Sequence, residues 1–381
     1  MSALLITLLA FGSTILCVAI LKRFAPGFGL VDQPDERKRH VGAIPLVGGI
    51  SIWLAFTICM LFYGITSEIA VLIIFGGLLV GVGAVDDHSE LPARMRLLFH
   101  IAAALAVCLF AGIVVKDLGD ILFPHFDLKL GLFAIPFTTF AIVAMINSAN
   151  MSDGIDGLCG VQMLVPLAGL AALAGIFDHP DFVPLMALCG TILGFLVFNL
   201  RSPWRTRATV FLGDAGSNLL GFVLAWFLID LSQGEDAILS PAAVLWFALL
   251  LIYDTVVVVS RRALRGRSPL SADREHLHHV FLLARFSVSA TVLTLGIMTI
   301  IGVTVGITTT VLNVPGYAIF AAFILFGLLF LHWMLQTWSV MRFLRRSICR
   351  RQGERRSTGD DEWPHEVDRR KGDRRRKAAS V

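Results

Sequence analysis

Long, continuously apolar runs alternate along this chain with short polar interruptions, and the runs sit near the roughly 20 positions that carry an α-helix across a bilayer. Eleven can be marked, at 3–21, 44–63, 67–85, 97–115, 132–150, 159–177, 182–199, 217–231, 238–258, 287–311 and 315–340. The run at 217–231 is the shortest of them. The apolar residues do not alternate with polar ones, which argues against a β-barrel and for helices. The expected fold is therefore an all-α polytopic integral membrane protein of about 11 transmembrane helices.

Composition agrees with the pattern: 56% of the 381 residues are hydrophobic and 16% are charged, which does not describe a water-soluble domain. The distribution of charge adds an orientation. With the N-terminus on the periplasmic side, the segments 22–43, 86–96, 151–158, 200–216 and 259–286 and the tail from 341 all face the cytosol. These segments contain 30 of the 32 Lys and Arg residues, leaving Lys116 and Lys129 outside. That asymmetry follows the positive-inside rule and puts the C-terminus in the cytoplasm. The first run lacks a basic leader and is followed by Lys22 and Arg23, so it reads as an anchor and not as a cleaved signal. Two regions are expected, a transmembrane domain over 1–341 and a basic tail over 342–381. The tail carries 14 basic and 7 acidic residues without apolar periodicity, which suits a disordered extension against anionic lipid. The six cysteines show no CxxC spacing, so they read as core packing and not as a zinc or disulfide framework.

Polar side chains at a membrane border are costly, and five interruptions concentrate them: KRHVGAIPLVGG, VDDHSELPARMR, NSANMSDGIDG, FLGDAGSN and RGRSPLSADREHLHH. Asp86 and Asp87 are adjacent carboxylates that repel unless a cation or proton relieves them, with Arg94 and Arg96 just downstream. An ordinary solvated loop is the plain alternative. Asn147, Asn150 and Asp153 fall three apart, on one helical face, and Asp156 extends that face if the helix continues. Their oxygens suit a hard cation such as magnesium. A helix cap with a glycine turn would account for Asp153 and Gly154 alone. Asp214 lies in a glycine-rich corner where Ser217 is placed to cap the following span. In the last interruption, Arg265 and Arg267 with His276, His278 and His279 suggest an anion cradle for phosphates. The histidine spacing matches no common zinc motif. Asp254 is expected either to pair with Arg261 or Arg262 or to approach a lipid phosphate. Arg37, Arg39 and His40 read either as part of the site or as topological charge.

The order DDHSELPARMR, NSANMSDGIDGL, FLGDAGSNLLGF, RGRSPLSADREHLHH resembles that of the polyprenyl-phosphate N-acetylhexosamine-1-phosphate transferases, from about 38 to 285. Within them it is most similar to the bacterial undecaprenyl-phosphate N-acetylglucosamine type. The resemblance implies transfer of a sugar 1-phosphate from UDP-N-acetylglucosamine to undecaprenyl phosphate in the cytoplasmic membrane, releasing UMP. It implies magnesium, with manganese as a substitute, held by Asp214 and Asn150. It implies catalytic roles for Asp86, Asp87, Asp153 and Asp156, and substrate contacts from Arg96, Asn147, Arg265, Arg267, His276, His278 and His279. Arg96 stands where many relatives have Lys, and His100 where many have Gln. Membrane lipid is an expected partner, nucleic acid is not, and a homodimer is compatible with the family. Three alternatives stay open at this point: another UDP-aminosugar, a muramoyl-pentapeptide donor, and a secondary transporter. The transporter would place its charges near the midplane and not at one face.

Overall fold

The computed structural model describes residues 2–33, 42–264, 266 and 276–353. Helices dominate: α1 (Ala3–Phe24), α2 (Gly48–Tyr63), α3 (Ser67–Ser89), α4 (Ala93–Ala106), α5 (Ala134–Ser152), α6 (Leu158–Ile176) and α7 (Phe182–Asn199) form the first half. They are followed by α8 (Gly213–Asp230), α9 (Pro241–Phe247), α10 (Leu249–Leu264), α11 (Leu277–Leu283), α12 (Val288–Val311) and α13 (Gly316–Gly353). Two short antiparallel strands, β1 (Val31–Asp32) and β2 (Ile44–Pro45), pair between α1 and α2, with β2 inside the first polar interruption. Every site discussed below lies in one compact unit, Met1–His332.

Each of the eleven apolar runs contains a helix, but the correspondence is not one run to one spanning rod. Among the described residues, eight helical segments are long and apolar enough to cross a membrane, and a ninth arises if the bent pair α9 and α10 counts as one span. That pair corrects the continuous span expected at 238–258: the two helices meet at Ala248 with a 78° bend. At the break Phe247 packs against Gly306 and Gly169. α2 has 16 residues, about 24 Å of helix by the 1.5 Å rise, short of the roughly 30 Å hydrocarbon core. α4 begins four residues earlier than expected and closes through a π-helical turn over Val107–Ala111, ending at the left-handed Gly112.

α8 is the axis of the unit. All of its residues except Asp214 and Asp230 are buried, and it packs against α3 and α5 with α2 and α6 beside them. Without a hydrophobic drive between helices in lipid, close backbone approach through small residues does the joining. A Cβ at Gly49 would stand 2.2 Å from the Gly216 nitrogen, and one at Gly83 would stand 2.4 Å from the Ala215 Cα. Gly221 is pressed against Ile146 and Ala149 of α5 in the same way. Elsewhere, Gly190 and Gly194 of α7 meet the backbone carbonyls of Thr7 and Phe11, which lets α1 lie tightly along α7.

Cys59, Cys108, Cys159 and Cys189 are buried and unbridged, in keeping with packing. Arg265 and Arg267, together with Arg37, Arg39, His40 and the tail beyond 353, fall outside the described residues.

Candidate active site

The N-terminus of α8 is where separate polar segments converge. Gly213 adopts φ +73° and turns the chain into the helix. The first segment braces it from one side, since Gly48 and Gly49 donate their backbone N–H groups to the carbonyls of Phe211 and Leu212 at 3.0 and 3.1 Å. From the other side Asp87 accepts the N–H groups of Asp214, at 2.9 Å, and Ala215, at 3.4 Å. A carboxylate on those N–H groups satisfies orphan donors and complements the helix dipole. Ser217 was expected to cap this helix and does not. It lies inside the first turns, donating its hydroxyl to the Gly213 carbonyl at 3.2 Å.

α3 continues through Ser89, so Asp86 and Asp87 belong to its last turn and not to a free loop. Asp86 is buried and accepts from the Leu91 N–H at 2.6 Å and from Arg96 at 2.9 Å. Arg96 reaches on to Asp214 at 3.4 Å, bridging two carboxylates that the chain separates by more than a hundred positions. The other oxygen of Asp214 accepts from Asn150 Nδ2 at 2.7 Å, and the same nitrogen donates to Ser217 Oγ at 3.1 Å. α3 with Asp86 and Asp87, α4 with Arg96, α5 with Asn150 and α8 with Asp214 and Ser217 thus build a single network.

α5 stops at Ser152, so the helix does not continue and Asp156 does not extend the face of Asn147 and Asn150. Asp153 is partly exposed, yet desolvation by the surrounding protein, with the charges of Asp87 and Asp156, pushes its pKa up to about 7. Asp156 turns away from that cluster. Its Oδ2 accepts from Arg201 Nε at 2.7 Å and from the Ala208 N–H at 3.1 Å, pinning the segment between α7 and α8. Asn199 pins the same segment, accepting from the Gly157 N–H and donating to the Val210 carbonyl. Asn147 is not drawn into the network, because its amide donates back to Val143 in its own helix at 2.7 Å.

The histidines form a separate group. The rings of His276 and His278 lie parallel, 5.9 Å apart, and those of His278 and His279 are 4.1 Å apart. His278 is buried against Gly154, and no partner for its Nε2 occurs among the described residues. Desolvation first, then its two histidine neighbours, pushes its pKa down to about 3, so it is neutral at physiological pH. His276 corrects the expectation for Asp254: the acid pairs with this imidazole, Oδ2 to Nδ1 at 2.9 Å, and not with Arg261 or Arg262. Arg201 and Asn199 carry no local sign of a role here, and Ser217 and Asp254 take partners other than those expected, because each of these contacts is set by packing between elements distant in sequence. His100 is a further buried polar group one turn beyond Arg96, with no partner for either ring nitrogen among the described residues.

The donor set fits a hard cation. Asp86, Asp87, Asp153 and Asp214 crowd together, and Asn150, whose nitrogen is committed to Asp214 and Ser217, keeps its amide oxygen for another partner. Among the described residues no three His, Cys, Asp or Glu side chains form a ready-made metal cage. Magnesium does not require one, since it takes one or two carboxylates and completes its shell with phosphate oxygens and water.

The model of glycosyl transferase family 4 matches residues 69–232, the stretch that supplies all of this network. The chain is 34% identical over 352 residues to the undecaprenyl-phosphate alpha-N-acetylglucosaminyl 1-phosphate transferase of Salmonella typhimurium, covering 90% of this chain and 94% of that one. It is 33% identical to the transferase of the same name from Escherichia coli K12, over 87% of this chain and 91% of the relative. The Haemophilus influenzae protein of that name is 32% identical, over 88% and 95%. The chain belongs to glycosyl transferase family 4. Within that family, the residues that knit α3, α4, α5 and α8 together are those the resemblance assigns to chemistry. The histidine group on α11 lies beyond the matched stretch.

Proposed function

We propose that this protein transfers N-acetylglucosamine 1-phosphate from UDP-N-acetylglucosamine to undecaprenyl phosphate, yielding undecaprenyl-pyrophosphoryl-N-acetylglucosamine and UMP. The observation that carries the reading is the meeting of Asp86, Asp87, Asp214, Arg96 and Asn150 at the N-terminus of α8, within a bundle similar throughout to transferases of that name. The proposed topology has eleven spans, a periplasmic N-terminus and a cytoplasmic C-terminus. It would place this end of the bundle at the cytosolic face of the bacterial inner membrane, where both substrates are accessible. The same placement disfavours a secondary transporter, whose charges gather at the midplane.

In the reaction, an oxygen of the lipid phosphate attacks the sugar-linked phosphorus. A new P–O bond forms, the P–O bond to the uridine-bearing phosphate breaks, and its electron pair leaves on UMP. The lipid phosphate is already anionic, so it needs alignment and charge screening more than a base. Asp214 and the amide oxygen of Asn150 would hold magnesium, with manganese as a substitute. When bound, the ion screens phosphate oxygens and stabilises the charge that develops on the leaving group. Arg96, held by Asp86 and Asp214, would offer its remaining guanidinium N–H groups to phosphate oxygens.

A single displacement is favoured over an aspartyl-phosphate intermediate. The lipid phosphate can attack without a protein nucleophile, and Asp86 and Asp87 already serve as anchors, Asp86 for Leu91 and Arg96 and Asp87 for the first N–H groups of α8. Purified protein given radiolabelled UDP-N-acetylglucosamine, undecaprenyl phosphate and magnesium should form a butanol-extractable labelled lipid. Asp214→Ala, or addition of EDTA, should abolish it. Product that survives both treatments would refute the metal assignment.

A further inference from the structure

Asp254 and His276 are 22 positions apart, one in α10 and the other immediately before α11, and each is largely enclosed, with 18% and 7% side-chain exposure. Asp254 holds the start of α11 with both oxygens. Oδ1 accepts from the Leu277 N–H at 2.8 Å, while Oδ2 lies 2.9 Å from His276 Nδ1. A carboxylate accepting on both sides requires Nδ1 to be the donor, which fixes the ring's hydrogen on Nδ1 and leaves Nε2 as the basic nitrogen. The ring of His278 lies parallel to that of His276 with centroids 5.9 Å apart, and is itself packed against Gly154 next to Asp153.

We propose that Asp254 is a positioning residue for sugar-nucleotide recognition. By locking His276 in the Nδ1–H tautomer, it keeps Nε2 as an acceptor for a hydroxyl or amide N–H of the UDP-sugar. The inference rests on the transferase reading for its ligand but not for its geometry. The Leu277 N–H sharpens the consequence. In Asp254→Asn the amide oxygen stays on that N–H and the amide nitrogen faces His276, so Nδ1 must become the acceptor and Nε2 the donor. The polarity offered to the ligand reverses while the shape of the site is kept. If Asp254 only braced α11, the tautomer would still reverse but the donor KM would not change.

The test combines two readouts on the detergent-purified full chain, comparing wild type, Asp254→Asn and Asp254→Glu. The 15N shifts of His276, assigned by difference against His276→Gln, should show protonated Nδ1 and bare Nε2 in wild type. They should exchange in Asp254→Asn and return in Asp254→Glu. The KM for UDP-N-acetylglucosamine should rise roughly 10-fold in Asp254→Asn, the size of effect seen when a histidine's orienting partner is lost. The KM for undecaprenyl phosphate and the thermal midpoint should stay near wild type. Unchanged His276 nitrogen shifts in Asp254→Asn, or an unchanged donor KM, would overturn the proposal. A wild-type protein that transfers nothing from any UDP-sugar would remove the transferase reading, while the nitrogen shifts would still decide whether Asp254 sets the tautomer.

Discussion

Asp87 and Gly213 depend on each other. The carboxylate is anchored on the first N–H groups of α8, and it can come that close because the residue opposite has no side chain: a Cβ at Gly213 would lie 2.4 Å from Asp87 Oδ2. Gly213 also holds φ +73°, a conformation that costs other residues on the order of 1 kcal/mol or more. Gly213→Ala is therefore expected to lower the thermal midpoint in detergent and to cut transfer activity, at a total cost of about 1–3 kcal/mol. A midpoint equal to wild type would show that Asp87 can move away at little cost. Asp153 gives the expectation for pH. Its pKa rises from the ordinary 3.8 to about 7 in the folded protein, so the folded state binds the extra proton between those values. Stability without added divalent cation should fall as pH rises from about 4 to about 7, and Asp153→Asn should flatten that slope. A thermal midpoint that climbs with pH over the same window in wild type, or a slope unchanged in the variant, would contradict the assignment. Identity and spacing alone marked Asp86, Asp87, Asn150, Asp153 and Asp214 as unusual. They did not reveal that Asp156 would leave the cluster for Arg201, because ion-pair geometry across 45 positions is set by how α6 and α7 pack, not by local pattern.

At the scale of elements, hydropathy located the helices well because lipid leaves backbone N–H and C=O groups no alternative to internal pairing. It did not show the 78° bend between α9 and α10, which has neither glycine nor proline at the break and lies where Phe247 packs against α12 and α6. Nor did it show that α8, the shortest apolar run, would be the most enclosed helix. The glycines that allow this enclosure give a direct check. Gly49→Ala and Gly83→Ala place a methyl within 2.4 Å of α8 backbone and should destabilise by about 1–3 kcal/mol, occasionally more. Gly81→Ala, where nothing lies within 4 Å of the added carbon, should be silent in the same thermal assay. Equal effects at all three positions would refute close helix approach as the reason for the glycines. The Asp156–Arg201 pair makes a second element-level prediction. Asp156→Ala should cost at least as much stability as Arg201→Ala, because it also releases the Ala208 N–H, and the double variant should be no worse than Asp156→Ala, with a coupling on the order of 1 kcal/mol. Strict additivity would mean that the pair does not hold the segment before α8.

For the whole molecule, the distribution of polar residues is the governing fact. The network at α8 and the pinned segment at Asp156 are carried on loops and helix ends, and Asp254, within α10, pairs with His276 just before α11, while the long spans are apolar and joined by small residues. The division suits a protein whose two substrates come from different phases. A prenyl chain can approach between apolar helices, and a nucleotide can approach polar loops from water. The basic tail stands apart from this chemistry in sequence. A chain truncated after Ser347 should keep its specific transfer activity, measured at equal amounts of folded protein, and its loss would assign the tail a part in the reaction.

The central claim is that phosphorus moves together with the sugar. It is tested most directly with UDP-N-acetylglucosamine labelled with 14C in the sugar and 32P in the sugar-linked phosphate, incubated with the purified protein, undecaprenyl phosphate and magnesium. The account predicts an extractable lipid carrying both labels in equal molar amounts, with unlabelled UMP released and no product from Asp214→Ala. A lipid carrying 14C without 32P, with labelled UDP released in its place, would mean transfer of the sugar alone and would contradict the account.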